Sequence, residues 1–191
     1  MASVFDAPVL DRAFYARETR VVARALLGKV LTLGRKAGRI IETEAYLGLD
    51  DLAAHASRGV TPRTRVIFGP PGHAYVYLIY GLHECLNLVA EPDGVPGCVL
   101  IRALEPLEGL NDASASGPAR LTKAMGITRK LNGADVTRGP LRVREWEELD
   151  FEVAVTPRIG ITKCADWPLR YIVKGNPNVS KGRMVCAGEN S

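Results

Sequence analysis

The chain has 191 residues, 47% of them hydrophobic and 24% charged, with a formal net charge of +4. A chain of that length buries a core without disulfides or metals, and that composition excludes both a disordered polymer and a membrane-embedded one. The first apolar stretch, Val4 to Leu10, is broken by Asp6 and Pro8. It reads as neither a signal peptide nor a membrane span, so the expectation is one domain over residues 1–191 in the cytoplasm, nucleoid-associated if the source is bacterial.

In chain order, the pattern predicts a helix from about Arg12 to Leu27, with Asp11 as N-cap and Gly28 as its stop. Strands follow at Lys29 to Leu33 and Arg39 to Leu47, joined by a turn over Gly34 to Gly38. Residues 48–72 are loop-rich and punctuated by Pro62, Pro70 and Pro71. Ala74 to Tyr80 and Glu84 to Ala90 read as a hairpin around a Gly81-Leu82-His83 tip, and Cys98 to Leu104 as a further strand. A helix opens near Ser116, with Ser116 as its cap and Pro118 in its first turn. Phe151 to Thr156, Arg158 to Ile161 and Leu169 to Val173 close the sheet. Strands dominate without regular βαβ alternation. The fold class is therefore α+β: a mainly antiparallel curved sheet flanked by helices, with a protruding hairpin over about residues 74–90.

Residues 52–83 contain no Asp or Glu, yet hold His55, His73 and His83 with Arg58, Arg63 and Arg65. Further basic runs cover 117–145 and 157–186. An acid-free basic loop beside aromatics suits a polyanion with flat rings, although solvated surfaces facing different ways would give the same counts. The cysteines Cys85, Cys98, Cys164 and Cys186 form no C-x-x-C pair, and no second ligand pair accompanies His83 and Cys85. They read as reduced thiols that fill space, and no metal site is expected.

Strand alternation in Ile41-Glu42-Thr43-Glu44 sends Glu42, Glu44 and Tyr46 to one face. A carboxylate on an inward face is costly unless it is paired or used. Glu44 is then either salt-bridged, with Arg102 as the obvious partner, or a general base that activates water. Tyr75 and Tyr77 share a strand face and could be ordinary packing. Tyr80, near the hairpin tip, is shaped to wedge into a base stack or anchor a partner. His55 could be a satisfied structural group, and Asn87, expected across the hairpin from Tyr77, could bond backbone or police the edge of a bound base.

The segments Arg39-Ile-Ile-Glu-Thr-Glu44-Ala-Tyr46-Leu-Gly48, Ala54-His55, Thr61-Pro62-Arg63-Thr-Arg65, Tyr75-Val-Tyr77-Leu-Ile-Tyr80-Gly81, Asn87 and Val99-Leu-Ile-Arg102-Ala-Leu-Glu-Pro-Leu occur in one order. Together with Gly117-Pro118 and Pro168-Leu-Arg-Tyr-Ile-Val173, they resemble the alkyladenine (3-methyladenine) DNA glycosylase family over nearly the whole chain. The resemblance implies a monofunctional enzyme, without cofactor or metal, that acts as a monomer on double-stranded DNA containing damaged purines. It implies Glu44 as the base activating water, with Arg102 and the Val173 carbonyl positioning that water. Tyr46 and His55 would stack on one face of a flipped purine and Tyr77 on the other, with Asn87 crowding the amino group of guanine. Tyr80 would serve as the wedge, and Leu82, Thr61, Arg63, Arg65 and Arg120 would contact DNA. Substrates so implied are 3-methyladenine and 7-methylguanine, with hypoxanthine and ethenoadenine as extensions. Two competing functions are a non-catalytic nucleic-acid-binding module and a hydrolase of free nucleosides. The second would need neither an exposed tip tyrosine nor basic residues spread over three segments.

Overall fold

The computed structural model of the chain describes residues 3–79, 81–110, 114–147 and 149–181. Asp11 accepts the Phe14 amide and starts helix α1 (Arg12–Tyr15) as expected, but the predicted single helix is two, the second being α2 (Thr19–Ala25). The break has a cap on each side. Arg17 Nε donates to the Phe14 carbonyl at 2.7 Å, while the Glu18 side chain accepts the Val21 amide. Glu91 then takes both the amide and the hydroxyl of Thr19, at 2.6 and 2.7 Å, so a distant residue fixes the start of α2. Gly28 stops the turn that follows, at φ +84°.

Strands β1 (Val30–Leu33) and β2 (Lys36–Tyr46) follow, and Leu33 pairs with Lys36, so the turn is tighter than the sequence suggested. The proline-punctuated loop is largely without strands and contains two 3-10 turns, His55–Arg58 and Arg65–Phe68. Strands β3 (Ala74–Ile79) and β4 (His83–Val89) make the hairpin, and β5 (Cys98–Glu108) runs four residues past the predicted end. Helix α3 (Pro118–Met125) begins with Gly117 as N-cap. Ser116 is not its cap: its hydroxyl donates to the Val179 carbonyl instead. A strand absent from the sequence reading, β6 (Leu141–Arg144), precedes β7 (Val153–Thr156) and β8 (Arg170–Val173). Arg158 to Ile161, read as a strand, is loop.

The strands form one antiparallel sheet in the order β3-β4-β5-β2-β1-β6, with β8 joining β2 to β7. Alternation along β2 sorts its residues as expected. Ala45 enters the main core with Val22, Leu26, Leu88, Ile101 and Leu121, and the Thr43 hydroxyl donates to the Ala23 carbonyl of α2. Glu42, Glu44 and Tyr46 face the other side, where a second apolar cluster of Ala56, Ile67, Tyr75, Val89 and Cys98 lies under the long loop. Register shifts between β2 and β5 fall at Ala37/Gly38 and around Glu42, and such bulges bend and twist a strand. At Gly38 a Cβ would stand 2.9 Å from Leu104 Cβ, so only glycine allows that approach.

Candidate active site

Glu44 is fully buried. Its Oε2 accepts the Tyr46 hydroxyl at 2.9 Å and its Oε1 accepts the Ile159 amide at 2.8 Å, while Arg102 Nη1 stands 3.4 Å from Oε1. Burial pushes the Glu44 carboxyl above the ordinary glutamate range, against the opposing pull of Arg102, the Ile159 amide and the Tyr46 hydroxyl. A carboxylate raised in this way takes up a proton more readily than an exposed one, which suits a general base.

The residues that hold Glu44 also line a cavity of about 220 Å³. Tyr46, Arg102 and Ile159 are in its wall with His55, Tyr75, Tyr77, Asn87, Cys85 and Cys98. Glu44 itself sits behind that wall. The Tyr75 and Tyr77 rings lie 5.3 Å apart between centroids, and His55 meets Tyr77 edge-on at 4.6 Å and 71°. His55 Nδ1 is 2.9 Å from the Tyr75 hydroxyl. Burial, then Arg63 and Arg58, brings the imidazole down to about 4, so at neutral pH His55 is an uncharged wall. Burial also pushes the thiols of Cys85 up to about 11 and Cys98 up to about 12, so neither is a thiolate nucleophile. The ring contacts of His55 are with Tyr75 and Tyr77. A flat ring entering between His55 and Tyr77 has to part them.

Three placements differ from expectation. Asn87 pairs across the hairpin with Tyr75, not Tyr77, and donates from Nδ2 to the Tyr75 carbonyl at 3.2 Å. It still lines the cavity. Val173 is not at Glu44: β8 sets Arg170 opposite Glu44, and Val173 lies three residues further on, about 10 Å by strand rise. Its carbonyl accepts the Asn176 amide at 3.3 Å. The backbone group at Glu44 comes from Ile159, in the segment read as a strand. That segment is anchored by Arg158, which makes a buried fork with Asp51 at 2.5 and 2.8 Å, donates to the Ala45 carbonyl, and stacks 4.6 Å over the Tyr46 ring.

The basic residues expected to meet DNA are exposed. Arg63 stands 5.1 Å over the Tyr77 ring, Arg65 opens the second 3-10 turn, and Arg120 lies in the first turn of α3. Thr61 exchanges bonds with Thr64 and its carbonyl accepts the Arg65 amide, which shapes the turn that carries both arginines. Leu82, at the hairpin tip, is 77% exposed. Tyr80 and Cys186 lie outside the described residues. Sequence reasoning missed Asp51, Arg158, Ile159, Arg170 and Ser180. Only Glu42 carried a local signal, since alternation already placed it beside Glu44.

A family model described as methylpurine-DNA glycosylase (MPG) matches residues 13–177. A protein of Koribacter versatilis (strain Ellin345), provisionally named a 3-methyladenine DNA glycosylase, is 51% identical over 92% of this chain and 95% of its own length. Proteins under the same provisional name from Methanocella arvoryzae, at 51% identity over 91% of the chain and 96% of the relative, and Legionella pneumophila (strain Lens), at 48% over 90% and 98%, agree. With that match over most of its length, the chain belongs to the methylpurine-DNA glycosylase family.

Proposed function

We propose that this glycosylase takes an alkylated purine, 3-methyladenine or 7-methylguanine, out of duplex DNA and hydrolyses its N-glycosidic bond with a water activated by Glu44. Hypoxanthine and ethenoadenine are candidate further substrates. The observation that carries the reading is the buried carboxylate behind an aromatic-walled cavity, held by three donors that themselves face that cavity.

Alkylation at N3 or N7 makes the purine cationic and a ready leaving group, so the protein must mainly expose C1′ and direct one water to it. Water reaches Glu44 from the cavity and gives up its proton as its oxygen bonds to C1′ and the C1′–N bond breaks. The purine leaves with the bonding electrons. The developing oxocarbenium charge is stabilised by the same carboxylate. His55, uncharged, and Tyr77 supply aromatic faces that do not repel a cationic base, Tyr46 completes the wall, and Asn87 lines the cavity, where it would crowd the exocyclic amino group of guanine. Tyr80 fills the gap left in the duplex, with Leu82 beside the DNA. Arg63, Arg65 and Arg120 bind phosphates.

Release of free base from duplexes carrying each of the four lesions, from the matched undamaged duplex and from free nucleosides tests this reading. Excision from alkylated duplex alone, or with the two extensions, is expected. Hydrolysis of free nucleosides at comparable efficiency, or tight duplex binding with no release of any base, would replace it with one of the competing functions.

A further inference from the structure

The carboxylate two residues before Glu44 is bound more fully than Glu44 itself. Glu42 is completely buried. Its Oε1 accepts Arg102 Nε at 3.0 Å, Arg170 Nε at 2.7 Å and the Ser180 hydroxyl at 2.8 Å, and its Oε2 accepts the Ser180 amide at 2.7 Å. The same Arg102 guanidinium reaches Glu44 only through Nη1, at 3.4 Å. An arginine that faces one carboxylate usually makes two parallel bonds. Here the fork is split between two carboxylates, and Glu42 has the closer share.

We propose that Glu42 and Arg170 are positioning residues for base excision: they grip Arg102 by its Nε edge, so that a single Nη1 addresses Glu44, and Ser180 closes the grip. The inference rests on Glu44 being the base. A full fork from Arg102 would hold the charge of Glu44 in place and weaken it as a proton acceptor, whereas one long contact leaves it basic. Arg170 completes the device. It stands opposite Glu44 in the β2–β8 register, is fixed by Thr156 at 3.1 Å, and shares Glu42 with Arg102, so that the buried set of two carboxylates and two guanidiniums balances in charge. The charged and titratable groups that face Glu44 are Glu42 and Tyr46 from β2, Arg102 from β5, Cys85 from β4, Arg170 from β8 and Arg158 from the loop.

The test is single-turnover excision of 7-methylguanine from duplex across pH, with melting temperature and lesion affinity measured on the same samples. Glu42→Gln frees Arg102 to turn to Glu44. The acid limb of the profile should move down by about 1 pH unit, as expected for a cation gained within a few ångströms, and the plateau rate should fall several-fold. Arg170→Met should move the limb the other way, because Glu42 then draws on Arg102 alone, and Arg170→Lys should move it less. Arg170→Met leaves Arg102 in contact with both carboxylates and Ser180 on Glu42, so an unmoved limb in that variant overturns the proposal even if Glu42→Gln does not fold. A fall in melting temperature with wild-type limbs would make the cluster purely structural. Glu44→Gln is run alongside: if it excises like wild type, the reading of Glu44 fails and takes the inference with it. If Glu44→Gln is inactive and the limbs do not move, the positioning role fails alone.

Discussion

Replacing Glu44 with glutamine keeps the outline of the side chain and removes its charge and proton-accepting oxygen. The surroundings allow the swap with little loss. The amide oxygen can still accept the Ile159 amide and face Arg102 Nη1, and its NH2 can donate to the Tyr46 hydroxyl, which reverses one bond without deleting it. Arg102 keeps Glu42 as its closer partner at 3.0 Å, so no guanidinium is stranded. The destabilisation expected from breaking a buried pair, about 3–5 kcal/mol, therefore does not apply, and a change within about 1 kcal/mol is expected. Excision should behave differently. A positioned general base contributes about 100-fold to 10,000-fold, which at about 1.36 kcal/mol per decade is roughly 2.7–5.4 kcal/mol of barrier, and the lost support of the oxocarbenium-like state adds to it. Single-turnover release of 7-methylguanine, calorimetric melting and anisotropy on lesion duplex together give the answer. A folded variant that binds lesion DNA and releases base at the wild-type rate would refute the assignment, and so would a loss of activity that tracks a collapse in melting temperature.

Asp51→Asn removes the charge that balances the fully buried Arg158 and should cost about 3–5 kcal/mol, a drop of roughly 6–20 °C in melting temperature for a chain of this size; a shift of under 2 °C would show that the pair is not balancing a charge. Asn87→Ala opens the cavity edge and should raise excision of guanine-type bases while costing about 1 kcal/mol for the bond lost at the Tyr75 carbonyl. An unchanged guanine rate would confine Asn87 to structure. Arg63→Ala and Arg120→Ala should each lower the slope of log affinity against log salt by about 0.9 and leave the rate at saturating enzyme unchanged, and slopes equal to wild type would remove those phosphate contacts. His55, depressed to about 4 in the fold against about 6.5 when unfolded, binds its proton more readily in the unfolded chain. Its contribution to stability is therefore complete above that unfolded value and lost as pH falls through the window to about 4. His55→Phe should flatten this acid loss in melting temperature, and an unchanged profile would show that another group is responsible.

Local patterns made half of the site legible. Period-two alternation in Arg39 to Gly48 puts Glu42, Glu44 and Tyr46 on one face, and the acid-free loop sets His55 and Arg63 apart as basic residues, while their place at the site comes from the resemblance. Placing His83 in the hairpin tip puts the register of the hairpin out of step. His83 pairs with Ile79, so every cross-strand partner moves by two, which is why Asn87 meets Tyr75. Arg158 to Ile161 reads as a strand, but that segment is committed by a fork to Asp51, 107 residues away, which no local pattern encodes. The resemblance points to the Val173 carbonyl, on a strand, as the backbone group near Glu44, whereas the backbone group that meets the carboxylate is the Ile159 amide, on that loop. The break between α1 and α2 likewise depends on Glu91, 72 residues from Thr19.

Strand β2 changes partners midway. One edge is covered by β5 along most of its length, while the other is covered by β1 as far as Arg39 and by β8 from Glu42 to Glu44. Amides on a strand bonded along both edges exchange with solvent only when the whole sheet opens, whereas 3-10 turns on the surface open locally at little cost. Glu44 therefore rides on the slowest-opening part of the molecule, and His55 and Arg63 on parts that can loosen while the sheet stays intact. Mutation has correspondingly unequal reach: beyond Asp51, which anchors Arg158 beside the Ile159 amide on Glu44, the loop can change and reshape the aromatic wall without moving the acid, but a change in β2 moves both together.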